Sequence, residues 1–247
     1  MKIRYVTITG ADDSVRPQAV IDRAIKYPFA EWGFLMAENH FGQPRFPSEK
    51  WIVEFNFLHG LCGHSFNTSA HLCGSWVKSL VVDGKVTIPG WMFALLKPIG
   101  RIQLNFHAEK YPKVSKDFTK ALLELQVHIG QKQFIFQFDK VNEKLMYDAI
   151  KDGIDAVPLF DESGGTGVLP KEWRAPIDKM LCGYAGGLSP DNIRQQLESI
   201  EKVTTSRNEI WIDMETMVRS GDNKQFEISK VSRCLHLSES FMRQTQV

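Results

Sequence analysis

The chain has 247 residues, of which 43% are hydrophobic, and its 30 basic side chains nearly balance 29 acidic ones. No basic stripe of the kind that nucleic-acid-binding proteins carry is visible. No apolar stretch approaches the roughly 20 residues of a membrane helix, and the N-terminal segment MKIRYVTITG lacks the long apolar run of a signal peptide. We therefore expect a cytoplasmic protein with a small-molecule ligand, no nucleic-acid or membrane partner, and cysteines present as thiols.

Strand-like and helix-like segments alternate along the whole chain. Runs that are rich in β-branched and aromatic residues, each bounded by glycine, proline or polar residues, predict eight strands. These strands are Ile3–Thr9, Ala30–Met36, Phe66–Leu72, Arg101–Phe106, Phe134–Phe138, Ala156–Phe160, Met180–Tyr184 and Glu209–Met214.

Segments with helical spacing of apolar residues lie between these strands. The predicted helices are Pro17–Tyr27, Pro47–Leu58, two short pieces of Ser75–Leu96 around a turn at Asp83-Gly84, Ser115–Val127 with Ser115 as N-cap, Asn142–Lys151, a helix opened by Ser189-Pro190-Asp191, and Ile228–Phe241. Eight strand–helix units in a chain of roughly 250 residues predict an α/β fold, a closed parallel (β/α)₈ TIM barrel made by a single domain, 1–247. A doubly wound open sheet is the alternative, and the number of units disfavours it.

The loops that follow barrel strands are where barrel proteins place their active sites. The segment after the seventh strand contains Gly186-Gly187 and then the helix that Ser189 is expected to cap. Paired glycines let backbone amides approach a ligand, and a helix N-terminus favours an anion. The segment therefore predicts a phosphate site, and the alternative is a tight turn that needs glycine only for its dihedral angles.

Several segments together resemble the family of phosphoribosylanthranilate isomerase, a barrel enzyme of tryptophan biosynthesis. They are the Gly-Gly-Leu-x-Pro-x-Asn turn at Gly186, Gln43-Pro44-Arg45-Phe46, Gln103-Leu104-Asn105-Phe106-His107, Phe160-Asp161 with the loop Gly164-Gly165-Thr166-Gly167, and Ile212-Asp213. The resemblance covers almost the whole chain and is carried by the common order and spacing of these segments. It implies that Arg45 holds a substrate carboxylate, that Asp161 is catalytic, and that Gly165 belongs to the substrate site.

The chain departs from this family at two places. The family's general base is a cysteine followed by glycine at the end of the first strand, where this chain has Thr9-Gly10. A threonine hydroxyl is a far poorer base than a thiolate, so we expect Thr9 at most to position a water molecule or a substrate hydroxyl. The family's Ser-Ser-Gly after the last strand is replaced by Glu215-Thr216-Met217, whose carboxylate would repel phosphate unless Arg219 or Arg174 compensates.

Four further side chains are candidates because each stands at or near a predicted strand end. Asp161 is interpreted as a general acid, which burial would help by raising its pKa, or as a cap of the following loop. Arg45 and His107 are interpreted as substrate-binding residues, with a solvated loop arginine and a hydrogen-bonded strand-end histidine as the alternatives. Asp213 interrupts an apolar strand, and a buried carboxylate is costly unless it is paired or used.

A mirrored pair of motifs surrounds the third strand, Cys62-Gly-His64 and His71-Leu-Cys73. Zinc binding is disfavoured because the one-residue gaps are unlike the usual zinc spacing. His71 and Cys73 share one face of a strand and are candidates for the missing base, with core packing as the alternative.

These observations predict an isomerase that resembles phosphoribosylanthranilate isomerase and needs neither metal nor organic cofactor. In the reaction that the resemblance implies, the sugar ring of an aldose amine opens and a proton leaves C2 as the ketose forms. Asp161 is the expected acid, and the base is left open among His71, Cys73, His107 and Asp213. The alternatives are a related lyase or epimerase with another small substrate and a non-catalytic barrel that binds a metabolite or a partner protein.

Overall fold

The barrel is closed by eight parallel strands whose order in space follows their order in the chain. The computed structural model describes residues 1–161 and 167–243. The strands are β1 (Lys2–Thr9), β2 (Ala30–Met36), β3 (Asn67–Leu72), β4 (Arg101–Leu104), β5 (Gln133–Gln137), β6 (Ala156–Phe160), β7 (Cys182–Ala185) and β8 (Glu209–Met214). β8 pairs with β1, so the predicted (β/α)₈ barrel is confirmed and the open sheet is excluded.

The helices cover the outside of the barrel. They are α1 (Pro17–Lys26), α2 (Glu49–Leu61), α3 (Ser75–Lys78, continued by a π-helical turn at Ser79–Asp83), α4 (Gly90–Leu96), α5 (Phe118–Ile129), α6 (Lys140–Lys151), α7 (Ile193–Val203) and α8 (Ile228–Arg243). Within the described residues, no helix combines the length and the apolar content needed to cross a bilayer.

Alternation along each strand separates an outer core from the inner surface of the barrel. On β1, Val6 and Ile8 belong to the large apolar cluster beneath the helices, whereas Thr7 and Thr9 hydrogen-bond to other inward-facing side chains. A second, small apolar cluster that includes Val157 lies within the barrel. The two-residue period of a strand therefore decides which side chains can reach the mouth.

Three predicted boundaries are wrong, and the first two of them lie next to the site. β4 ends at Leu104 because the chain turns there, with the Phe106 amide donating to the Leu104 carbonyl, so His107 lies in a loop. Ser189 does not cap α7, since the Asn192 side chain accepts from the Ser189 amide and forms a turn first. Ser115 does not cap α5 either, and its hydroxyl accepts from the Asp117 amide just before the helix.

Candidate active site

The mouth of the barrel, at the carboxyl ends of the strands, contains two adjoining cavities. The inner cavity has an empty volume of about 540 Å³ and the outer one about 780 Å³, each partly open to solvent. Both are lined by Asn105, Gln137 and Glu215, so they form one continuous mouth. Predicted site residues divide between them: His71, Asp161, Asp213, Gly186 and Gly187 line the inner cavity, and Arg45, Cys73 and His107 line the outer cavity. Gly165 lies outside the described residues.

The floor of the inner cavity is a set of buried polar side chains from neighbouring strands. Thr9 at the end of β1 donates its hydroxyl hydrogen to Asp213 Oδ1 on β8 at 2.8 Å. The other oxygen, Oδ2, lies 4.0 Å from His71 Nε2, which is 3.1 Å from the Ser69 hydroxyl. Because 4.0 Å is too long for a hydrogen bond, Asp213 and His71 face each other without sharing one.

A glycine on β2 makes this close arrangement possible. A Cβ placed on Gly33 would lie 2.3 Å from Thr9 Oγ1 and 2.9 Å from His71 Nε2. The missing side chain leaves the space that the Thr9 hydroxyl and the His71 ring occupy. Gly33 was not among the predicted site residues, although a lone glycine within an apolar strand is a signal of close approach.

Burial changes the protonation of the two titratable groups on the floor in opposite directions. It raises the pKa of Asp213 to about 8, while the hydrogen bond from Thr9 partly opposes that rise. It lowers the pKa of His71 to about 3, with Arg101 contributing as a nearby positive charge. Both shifts favour the uncharged form of a group removed from water, so at neutral pH Asp213 carries a proton and His71 is a neutral imidazole.

Cys73 lies just beyond β3 and its thiol is protonated at neutral pH. Burial raises the pKa of this thiol to about 12, and the Asn105 side-chain amide donates to Sγ at 3.3 Å. A thiol with that pKa supplies almost no thiolate near neutral pH, so Cys73 is poorly suited to be the missing base.

Gln103, on β4, adds an unsatisfied acceptor to the floor. Its side-chain NH₂ donates to Asn105 Oδ1 at 2.8 Å, whereas its buried Oε1 has no hydrogen-bond partner within the described part of the chain. A buried acceptor without a partner costs free energy. Since Gln103 lines the inner cavity, a ligand hydroxyl or amine there would satisfy this oxygen.

Asp161 and the paired glycines lie together on the inner cavity, at the ends of β6 and β7. Asp161 directly follows β6, and its Oδ1 lies 3.7 Å from the place a Cβ on Gly186 would take. Both glycines have positive φ, 114° for Gly186 and 64° for Gly187. A Cβ on Gly187 would be 2.6 Å from the Leu169 amide nitrogen, so packing of the preceding loop requires glycine here even without a ligand.

Arg45 and Glu215 form an ion pair between the two cavities. Arg45 Nε donates to Glu215 Oε1 at 2.5 Å, and Nη2 contacts the same oxygen. Burial raises the pKa of Glu215, and the Arg45 charge opposes that rise. The cation that pairs directly with Glu215 is therefore Arg45, and the charge of Arg219, one of the two arginines that the sequence suggested, adds a smaller effect in the same direction.

Arg219 and Arg174 have other contacts. Arg219 is fully buried and donates to the Gly10 carbonyl and to Asp12 Oδ2, the latter at 2.7 Å. Arg174 lies over the rings of Phe138 and Phe160 at the rim of the mouth. These contacts hold loops at the barrel rim, so Arg219 acts on Glu215 through its charge and not through an ion pair.

His107 lies in the outer cavity beyond β4 and pairs with a carboxylate. Its Nδ1 is 3.1 Å from Asp139 Oδ2, and Asp139 also caps α6. This contact orients the imidazole toward the loop after β5 and separates it from the floor.

The two cysteine–histidine motifs lie at opposite ends of β3. Cys62 and His64 precede the strand, whereas His71 and Cys73 lie at its end, so the four do not converge. Within residues 1–161 and 167–243, no three His, Cys, Asp or Glu side chains are placed to hold a metal ion.

A buried ion pair beneath the floor was missed by the sequence analysis. Arg101 on β4 donates from Nε and Nη2 to the two carboxylate oxygens of Glu31 on β2, at 2.6 and 2.5 Å. Thr7 donates to the same carboxylate, and Arg101 lies over the Trp211 ring. The sequence did contain a signal for this pair. Glu31 on β2 and Arg101 on β4 are charged residues of opposite sign at inward positions of their strands.

Comparison with solved structures shows that this fold is shared with phosphoribosylanthranilate isomerases, as the resemblance predicted. The chain superposes on the TrpF protein of Jonesia denitrificans with a TM-score of 0.57 and 15% identity, covering 98% of this chain and 99% of that one. The phosphoribosylanthranilate isomerase of Thermotoga maritima gives 0.52 and 14%, covering 97% and 100%. The isomerase of Pyrococcus furiosus gives 0.51 and 12%, covering 96% and 98%.

Sequence comparison alone gives no such relationship. No protein-family model matches the chain, and no curated protein matches it in sequence. The likeness is therefore one of fold, along nearly the full length of both chains.

Proposed function

We propose that the chain is an isomerase that converts a phosphorylated aldose amine to the corresponding ketose. The observation that carries the proposal is the presence of two carboxyl groups in one cavity, Asp161 after β6 and Asp213 on β8. Such an isomerisation requires one group to donate a proton to the ring oxygen and another to accept a proton from C2. The two carboxyl groups supply these roles at two positions along a bound sugar.

Asp161 is the proposed acid. It ends an apolar strand, lines the inner cavity and lies beside Gly186, so it can reach a sugar ring anchored at the paired glycines. As the ring oxygen is protonated, its bond to C1 breaks and the amine lone pair forms the C=N bond, which leaves an open-chain iminium. The carboxylate that remains on Asp161 can take the proton back in a later step.

Asp213 is the proposed base, with Thr9 as the residue that positions it. A carboxyl group with a pKa of about 8 is a much stronger base than an ordinary aspartate once it is ionised, and its pKa lies close to working pH. In the proposed step, Asp213 accepts the C2 proton, the C–H electron pair forms the C1=C2 double bond of the enamine, and the C=N electron pair of the iminium returns to nitrogen. The Thr9 hydroxyl holds Oδ1, which leaves Oδ2 for the substrate.

Gly186 and Gly187 are the proposed anchor for the substrate phosphate. They line the inner cavity between β7 and the turn that leads into α7, and Thr216 lies across from them on the same cavity. Backbone amides and a hydroxyl bind phosphate oxygens without a formal charge. Inorganic phosphate should therefore compete with a phosphorylated substrate and leave the binding of an unphosphorylated analogue unchanged.

The test is turnover of a panel of N-aryl-5-phosphoribosylamines, phosphoribosylanthranilate among them, by the wild type and by amide variants. Asp161→Asn and Asp213→Asn should each lower kcat/KM by about 10²- to 10⁴-fold, because an amide keeps the shape but cannot exchange the proton. Asp148→Asn is the matched control, since Asp148 pairs with Lys144 on the surface of α6. Absence of turnover of every amine by folded wild-type protein would contradict the proposal.

The pH profile separates the two carboxyl groups. Because Asp213 must be ionised to accept a proton, kcat/KM of the wild type should rise with pH up to about 8. The residual activity of Asp213→Asn should lack this rise, whereas that of Asp161→Asn should keep it. An unchanged alkaline rise in Asp213→Asn would assign the base to another group.

A further inference from the structure

The ion pair between Arg45 and Glu215 occupies a central position in the mouth. Glu215 lines both cavities, and Arg45 lines the outer one. Two nitrogens of the Arg45 guanidinium contact Glu215 Oε1, which is the kind of contact that arginine makes with a ligand carboxylate. The protein thus supplies an acidic group where an acidic ligand would otherwise bind.

The surrounding backbone holds the pair in place. Arg45 has a left-handed backbone with φ of 79°, and its amide donates to Asp12 Oδ2 at 2.6 Å. Asp12 is bound in turn by the buried Arg219. On the other side, Gly10 leaves room for Glu215, because a Cβ there would lie 3.3 Å from Glu215 Cγ. Arg45 and Glu215 therefore meet through fixed loops after β1, β2 and β8.

Apart from the proposed phosphate anchor at Gly186 and Gly187, the inner cavity favours uncharged hydrogen-bonding groups in a ligand. Among the described residues that line it, none is a lysine or an arginine. Its polar side chains are amides, carboxyls, a hydroxyl and a neutral imidazole: Gln103, Asn105, Gln137, Asp161, Asp213, Glu215, Thr216 and His71. The unpartnered Gln103 Oε1 specifically requires a donor.

We propose that the Glu215 carboxylate pairs with Arg45 in the position that a ligand carboxylate would otherwise take. The ligand therefore presents an uncharged hydroxyl- or amine-bearing group beside Arg45, and no carboxylate. A ligand carboxylate would have to displace Glu215 and leave that carboxylate unpaired in a partly buried site, which is costly. An uncharged donor can hydrogen-bond to Glu215 while the ion pair stays intact. The proposal rests on the proposed function only in identifying this ligand with the substrate.

Binding of two isosteric probes, benzoate and benzamide, tests the proposal without any turnover assay. Measured by ligand-observed NMR titration, Glu215→Gln and Glu215→Ala should bind benzoate at least about tenfold more tightly than the wild type does, which corresponds to about 1.4 kcal/mol. Charge-assisted bonds to a carboxylate are roughly twice as strong as those to a neutral amide, so in Glu215→Gln benzoate should displace the introduced amide from Arg45. Affinity for benzamide should change less than about twofold, because its neutral amide gains no charge-assisted bond.

Two controls make the result specific. Glu201→Gln removes one negative charge from the exposed surface of α7 and should leave benzoate binding at the wild-type level. The double variant Arg45→Gln with Glu215→Gln should lose the increase in benzoate affinity that Glu215→Gln shows alone. Benzoate affinities of both folded Glu215 variants within twofold of wild type would overturn the proposal, as would tight benzoate binding by the wild type. These binding results do not depend on whether the chain is an isomerase.

Discussion

The inner surface of the barrel differs between its first four strands and its last four. The first four strands contribute polar and charged side chains to the buried interior, namely Thr7, Thr9, Glu31, Ser69, His71, Arg101 and Gln103. The last four contribute mainly apolar ones, namely Ile135, Val157, Leu159, Ala185 and Trp211, with Gln137 and Asp213 near the mouth as exceptions.

The two halves are therefore stabilised in different ways within one architecture. The apolar half is stabilised by the removal of apolar side chains from water. This stabilisation is non-directional, so it depends little on which apolar side chains meet. The polar half depends on complete pairing, because an unpaired buried charge or hydrogen-bonding group is costly. The proposed proton-exchanging groups come from both halves: Asp213 on β8 accepts a hydrogen bond from Thr9 of the polar half, and Asp161 follows β6 of the apolar half.

Breaking the Glu31–Arg101 pair should give the largest effect on stability. Arg101→Met leaves Glu31 buried without its cation, and such a loss costs about 3–5 kcal/mol in free energy of unfolding, measurable by urea denaturation. The double variant Glu31→Gln with Arg101→Met should recover much of that loss because no charge remains unpaired. A cost below about 1 kcal/mol for the single variant would show that the polar half does not depend on pairing.

The pH dependence of stability should come from the polar half. The folded state keeps a proton on Asp213 up to about pH 8, so this group lowers the free energy of unfolding as pH rises from about 4 to 8. His71 acts oppositely, since its folded pKa of about 3 makes stability rise with pH from about 3 to 6.5. The two contributions largely cancel between pH 4 and 6.5 and leave a decline from 6.5 to 8.

Single variants should uncover each contribution. Relative to wild type, Asp213→Asn should remove the decline in stability that Asp213 contributes between about pH 4 and 8, and His71→Gln should remove the rise that His71 contributes between about pH 3 and 6.5. Each slope has a limit of about 1.4 kcal/mol per pH unit. Leu159→Ala in the apolar half should lower the whole curve without changing its shape. Curves of identical shape for all three variants would contradict the assignment.

Filling the space at Gly33 should have a moderate effect. Gly33→Ala places a methyl group against Thr9 and His71, and overpacking of this kind costs about 1–3 kcal/mol of stability. Gly60→Ala is the control, because Gly60 lies within α2 with open space around it and alanine favours a helix by about 1 kcal/mol. Equal thermal midpoints for the two variants would show that Gly33 is not required for the close approach.

Removing one hydroxyl at the end of β1 should have the smallest effect on stability. Thr9→Val keeps the shape and loses the bond to Asp213, at a cost of about 1 kcal/mol. Because that bond lowers the pKa of Asp213, the alkaline rise of kcat/KM should move to higher pH in this variant. Thr7→Val loses a similar bond to Glu31 and should leave the pH profile unchanged.

Most of the fold could be predicted from local sequence patterns. β-Branched and aromatic runs predicted all eight strands, and several bounds, such as Ala30–Met36 and Glu209–Met214, agree to the residue. The errors arose where a side chain competes with the helix for backbone groups, as Asn192 does before α7, because that competition depends on the folded turn.

The site was less accessible from sequence because its contacts join distant strands. Asp161 and Arg45 could be singled out from the loops that they occupy. The bond from Thr9 to Asp213 spans 204 residues, and which carboxyl group meets which hydroxyl depends on the register at which β8 closes on β1. The pairing of Glu215 with Arg45 likewise depends on two loops whose directions a single sequence does not state.

Arg219 links the segment that follows β8 to the loop that follows β1. Its bonds to the Gly10 carbonyl and to Asp12 link residues 209 and 207 positions apart, at the place where β8 meets β1. Contacts of such long range require most of the chain to be ordered first, so we expect them to form after the rate-limiting step of folding. Interactions of that kind act on the unfolding rate and hardly on the folding rate. Arg219 would then govern the lifetime of the closed barrel rather than the speed at which it assembles.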